Sequence, residues 1–127
     1  MHDFIKNSLL ALKPNGKLII GVPNNNPYLF VNDKYHTLNL PPHHAGLWNK
    51  KSLKSLEQLF NIKLVSLQYE PLEKTYSQFL KTYINNSNPV YSKFLKVTNK
   101  LSPKILRKVL CKCIDGRNIL VVFRKIA

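Results

Sequence analysis

Two short apolar runs constrain this chain more than any other feature. Lys17-Leu18-Ile19-Ile20-Gly21-Val22 and Ile119-Leu120-Val121-Val122-Phe123 are rich in β-branched residues and show no polar alternation. A strand with that pattern has two faces to bury, as in a sheet covered by helices on both sides. Pro23 ends the first run because proline cannot donate to a ladder. The final strand, Asn118 to Arg124, is expected to be central in its sheet rather than at an edge. A further run, Ile62 to Tyr69, reads as another strand, closed by Glu70-Pro71.

Helical spacing fills the stretches between. Phe4, Ile5, Leu9 and Leu12 predict a helix over residues 4–13, stopped by Pro14-Asn15-Gly16. Asn49 is placed to cap a helix over 50–60, with Leu53, Leu56 and Phe60 on one face and Asn61 in the left-handed position that ends it. Thr75 and Gln78 have capping-box spacing ahead of a stripe of Tyr76, Phe79, Leu80, Tyr83 and Ile84. Tyr91, Phe94, Leu95 and Thr98 predict the next helix. Ser102-Pro103 opens the last, with Leu101 and Leu106 at staple spacing and Ile105, Val109, Leu110 and Cys113 as the apolar stripe.

The order is helix, strand, long loop, helix, strand, a helical stretch, strand, which is an α/β pattern. Three strands cannot hide two such faces and also avoid a bare edge. The chain therefore reads as part of a larger sheet, a single partial domain over residues 1–127 with a helical insertion at 72–113.

Composition narrows the classes further. The 127 residues carry 20 Lys+Arg against 6 Asp+Glu, a net charge of +14, which favours anionic partners. The basic residues are 17 Lys and 3 Arg, beside 14 Asn, a skew that AT-rich codon usage also produces. Base readout and phosphate clamping lean on Arg forks, so nucleic acid is disfavoured as a partner. Two cysteines, Cys111 and Cys113, stand too close for an unstrained disulfide, and a reducing, cytoplasmic setting is the expectation. No apolar run approaches the roughly 18 residues of a membrane span, and Met1-His2-Asp3-Phe4-Ile5-Lys6 is not a signal peptide.

The chemically richest stretch is the loop from Asn24 to Trp48. Loops of that length are often functional. His43 and His44 are the candidate catalytic residues of that loop; the plain alternative is that one of them caps a helix or packs on Trp48. Asn24 and Asn25, with Asn26 beside them, are candidates to bind polar ligand edges, or turn residues tolerant of left-handed angles. Trp48 is a stacking platform for a substrate or a packing anchor. His36, His43 and His44 with Cys111-Lys112-Cys113 lack structural-zinc spacing, and no metal site is assigned. Lys93, Lys96, Lys100, Lys104, Lys108 and Lys112 would form a basic face opposite an apolar stripe, either solvated or lying peripherally on an anionic inner membrane face.

Leu9-Leu10-Ala11-Leu12-Lys13-Pro14-Asn15-Gly16-Lys17 through Val22-Pro23-Asn24 resembles the "LkPgG-strand-PN" segment of class I S-adenosylmethionine-dependent methyltransferases. Leu40-Pro41-Pro42-His43-His44, Trp48 and Ser52-Leu53 are similar to the "PPHH…W…sL" stretch of one bacterial branch, and Gly116 to Lys125 to the family's last strand. Residues 72–113 carry no such likeness. The resemblance implies a partial Rossmann-like fold comprising strands five, six and seven of a seven-stranded sheet, with strand seven antiparallel between the other two. It implies methyl transfer to a small-molecule or glycan nucleophile, with the loop holding His43 and His44 on the acceptor side. The family binds its cofactor with a glycine-rich loop after strand one. The glycines here are Gly16, Gly21, Gly46 and Gly116, far apart, so no cofactor-binding residue is assigned. The expectation is an acceptor-side half, inactive alone, that needs an N-terminal half or self-associates; the rival is a non-catalytic basic module on anionic lipid or nucleic acid.

Overall fold

The computed structural model describes residues 2–32 and 46–126. Helix α1 (His2–Ala11) leads into strand β1 (Lys17–Pro23), a wide turn (Asn25–Leu29) and one turn of helix, α2 (Phe30–Asn32). Two short helices, α3 (Lys50–Lys54) and α4 (Leu56–Leu59), precede strand β2 (Ile62–Tyr69). Helices α5 (Tyr76–Asn86), α6 (Pro89–Leu101) and α7 (Pro103–Cys113) precede the last strand, β3 (Asn118–Lys125).

The sheet order is β1-β3-β2, with β3 antiparallel to both neighbours. The last strand is thus central, as its apolar character predicts. β1 and β2 run parallel to one another, so both end on the side of the sheet where β3 begins. Pro23 lies opposite Asn118, and Tyr69 opposite Ile119. Among the described residues β1 and β2 pair with no other strand. The architecture is α/β: a small three-stranded antiparallel sheet with flanking helices.

Local chemistry explains the connections. Asn15 takes the left-handed conformation at φ 62° in the turn after α1. Lys125 reaches back from β3, its Nζ donating to the carbonyls of Leu9 (2.7 Å) and Leu12 (2.8 Å). A cation thus satisfies carbonyls that the end of a helix leaves unpaired. Asn49 caps α3 reciprocally with Ser52: Oδ1 accepts from the Ser52 N–H, and the Asn49 N–H donates to Ser52 Oγ, both at 2.9 Å.

One sheet face is buried under α1, α3 and α4. Ile20, Val22, Ile119, Val121, Phe123 and Ile62 meet Ile5, Leu53 and Leu56 there, and Leu9 and Trp48 pack at the margin. Among the described residues the opposite face is not covered. Ile19 is 62% exposed and Leu120 45% exposed, which corrects the expectation that β1 and β3 are buried on both sides. The sequence pattern asks for two covered faces, and the described residues supply helices for one. The helices α5, α6 and α7 instead build cores of their own, Tyr28–Leu72–Phe79 and Leu80–Leu95–Leu106.

Other expectations also change. The helix over 50–60 is broken at Ser55 into α3 and α4. Asn61 is not left-handed, because Phe60 has already turned extended. Thr75 starts α5 without a side-chain cap, and Ser102 starts α7 likewise. Phe4, Tyr91, Phe94, Ile105 and Val109 face solvent rather than the core, and Leu101 is too exposed to staple onto buried Leu106.

The alternation along β1 yields a test. Ile20→Ala should cost about 2–5 kcal/mol, as a buried large-to-small change does, whereas Ile19→Ala next door should stay within about 0.5 kcal/mol. Urea unfolding of the two variants measures both.

Candidate functional site

The parallel strands β1 and β2 deliver their carboxyl ends to one side of the sheet, where ligands of open α/β sheets commonly bind. Two polar grooves lie there. The larger, about 500 Å³, is bounded by Gly21, Val22 and Pro23 of β1, by Glu70 and Thr75 beyond β2, and by Arg117 and Asn118 at the start of β3. The second, about 340 Å³, is lined by Asn24, Asn26, Asn49, Lys50, Tyr69 and Asp115, among others. Both volumes fall within the ~300–1,000 Å³ range of small-molecule sites.

The wall between them is a tightly bonded turn. The Asn24 N–H donates to the Arg117 carbonyl at 2.7 Å, and Asn24 Nδ2 donates to the Gly116 carbonyl at 3.0 Å. Asn24 Oδ1 accepts from the Asn26 N–H at 3.1 Å. From the other side, the Gly116 N–H donates to the Glu70 carbonyl and the Glu70 N–H to the Asn118 carbonyl, both at 2.8 Å. Asn118 Nδ2 adds a 2.7 Å bond to Glu70 Oε2. The turn before β3 is therefore clasped between the ends of β1 and β2. Gly116 is required by close approach: a Cβ there would drive into the Glu70 backbone.

The predicted site residues take distinct places. His43 and His44 lie outside the described residues. Asn24 is 1% exposed, and both ends of its amide are committed to the turn, so the structure uses it as a turn residue that forms one wall of the smaller groove. Asn25 is half-buried and gives its N–H to the Trp48 carbonyl at 2.8 Å; its residue lines neither groove. Trp48 packs against the sheet core with Gly46 under its ring, also away from both grooves. Three described candidates thus come together at the end of β1, but as a scaffold around the grooves.

Glu70, Thr75, Arg117 and Asp115 are the groove residues that sequence patterning misses. They are scattered over 48 positions of sequence and meet only because β3 inserts between β1 and β2. A signal exists all the same: each lies in a turn bordering the end of a predicted parallel strand or the start of the central one. Thr75 Oγ1 is buried without a hydrogen-bond partner at the rim of the larger groove. A buried hydroxyl of that kind retains both its donor and its acceptor capacity for a ligand or water.

The electrostatics are mixed. Arg117 and Glu70 both line the larger groove, and Lys50 and Lys51 share the smaller one with Asp115. Burial, and then the Asp115 charge, push the Tyr69 phenol above its ordinary value, so Tyr69 serves as a neutral hydroxyl at physiological pH. Burial also raises the Cys111 thiol; Glu73 adds to the effect, and Arg107 opposes it. Both cysteines are free. Among the described residues no three His, Cys, Asp or Glu side chains gather as metal ligands.

Comparison of the chain with family models, with curated proteins and with solved structures finds no match. Function is therefore argued from the grooves and the fold.

Two tests follow from this geometry. Asn24→Ala leaves buried backbone groups unpaired and should cost about 1–3 kcal/mol in urea unfolding. Iodoacetamide at pH 8 should modify exposed Cys113 before Cys111. Because the Cys111 thiol is held above its ordinary 9.0, its rate should climb with pH and still be rising, not levelling off, at pH 9. Glu73→Gln removes a charge that disfavours the thiolate, and should speed Cys111 by about twofold to fivefold at fixed pH.

Proposed function

We propose that this chain forms the acceptor-side half of a class I S-adenosylmethionine-dependent methyltransferase domain, with a partial Rossmann-like sheet. The observation that carries this reading is the strand arrangement. A last strand lies antiparallel between two parallel ones, and one sheet face and the outer edge of β1 are left without partners among the described residues. An apolar sheet face of that kind is what a second half of the domain would cover, and the unpaired edge of β1 is where its next strand would pair.

In this reading the missing half supplies the glycine-rich cradle for S-adenosylmethionine. The described grooves at the carboxyl ends of β1 and β2 receive the methyl acceptor, a small molecule or glycan. Their residues suit a polyhydroxylated ligand: Glu70 accepts hydrogen bonds, Arg117 donates them, and Thr75 and Tyr69 do both. Methyl transfer needs in-line positioning above all, and convergent polar groups provide it. His43 or His44 would take the proton that the acceptor hydroxyl loses.

Isothermal titration with S-adenosylhomocysteine tests the assignment of halves. The 127-residue chain should show no binding tighter than about millimolar, and micromolar affinity would overturn the reading. A glycine-rich strand–loop–helix should be encoded upstream of Met1 or in a partner chain. Fusing it ahead of Met1 should create the binding site. In that intact protein, alanine at whichever of His43 and His44 is the base should lower kcat by about 10²–10⁴-fold with cofactor binding unchanged.

A further inference from the structure

The α6–α7 hairpin exposes an apolar surface that the core does not use and that the methyltransferase reading leaves unexplained. On α6, Val90 (78% exposed), Phe94 (62%), Val97 and Leu101 (76%) fall within roughly 60° of one another at 100° per residue. The buried residue of that helix, Leu95, points well away from them. On α7, Ile105 (65%) and Val109 fall within about 40° of each other, while Leu106 packs inward. Each helix thus carries one broad apolar arc: its inner flank builds the core with α5, and its outer flank meets solvent.

Charge lies beside the exposed stripes. Lys93 and Lys100 flank the α6 stripe, and Lys104 and Lys108 the α7 stripe, on the side away from the buried residues. From Asn88 to Ile114 the sequence has seven basic residues and no acidic one. No carboxylate pairs with any of these lysines among the described residues. The basic face therefore adjoins exposed hydrophobic side chains. It lies on the far side of each helix from buried Leu95 and Leu106.

We propose that the α6–α7 hairpin is a docking surface for an anionic lipid bilayer, lying in the interface with Phe94, Leu101 and Ile105 inserted among the acyl chains. Apolar side chains rimmed by lysines are the recurrent chemistry of such helices: the stem of each lysine extends over the apolar edge and its ammonium reaches the headgroups. A second copy of the chain is a poorer occupant, since it would bring an equally basic face against this one. Nucleic acid would use the lysines and leave the exposed Phe, Leu and Ile without a role. The surface lies outside the candidate grooves, so the proposal stands whether or not the chain belongs to a methyltransferase.

Co-sedimentation of the full chain with vesicles tests it. Binding should be strong on phosphatidylglycerol vesicles, weak on phosphatidylcholine, and reduced by salt as counterions screen the lysines. The triple variant Phe94→Ser, Val97→Ser, Leu101→Ser should weaken binding at least about tenfold, while Lys6→Gln, Lys13→Gln, a charge change elsewhere, should not. Phe94→Trp keeps the surface apolar and reports insertion: its emission should be quenched by brominated phosphatidylglycerol beyond the small effect on Trp48 in the parent chain. The proposal is overturned by failure to bind phosphatidylglycerol at low salt, or by unchanged binding in the triple variant, which would mark a purely electrostatic polyanion surface. An unquenched Trp at position 94 overturns it as well, as does a dimer that the triple variant converts to monomer.

Discussion

The structure depends on one clasp. A connection of four residues, Ile114 to Arg117, has to reverse the chain and feed β3 between two strands that run the other way. Asn24 holds it from the end of β1 with one buried amide, and Glu70 holds it from the end of β2 through backbone and carboxylate. The pull from both sides sets the start of a strand that pairs from Asn118 to Arg124 with β1 and, across a bulge at Val65, from Ile119 to Lys125 with β2. It also sets the two grooves, because the clasped turn is the wall they share. A side chain that looks like a ligand-binding asparagine in a polar loop is thereby part of the frame.

How far the sequence discloses this fold can be judged strand by strand. The position of β3 is legible because Val121 and Phe123 are apolar in a run with no polar interruption, a pattern an edge strand seldom tolerates. The fate of Ile19 and Leu120 is not legible. Their sequence context demands burial, yet the described residues leave them exposed. A demand for burial says nothing about what meets it, whether a helix of the same unit, another half of a domain or another chain. That mismatch between pattern and coverage is what the proposal of a larger sheet rests on.

The helices show a different limit. Periodicity finds that α5, α6 and α7 exist, but assigns Phe94, Ile105 and Val109 to the wrong environment. Each of α6 and α7 carries apolar residues over an arc of roughly 140–160°, so a core flank and a solvent flank satisfy the same spacing rule. Only the partner decides between them. Leu80 on α5 meets Leu95 and Leu106, and the remaining apolar side chains are left outside. The grooves were hidden for a related reason: Glu70, Thr75 and Arg117 come from separate turns, and no local spacing links them.

The two surfaces are tied by the chain itself. α7 ends at Cys113, and Asp115 and Arg117, which line the two grooves, follow within four residues. Even fully extended, that is no more than about 14 Å of backbone. A hairpin lying in the headgroup region would therefore hold the groove mouths close to the bilayer surface. An acceptor carried on a lipid would reach the grooves by diffusing in two dimensions, whereas a freely soluble acceptor would gain nothing from the anchorage. If the exposed stripes on α6 and α7 serve binding at a bilayer, the groove chemistry and the basic composition share one cause, and the lysines concentrated before the last strand belong to the same device that positions it.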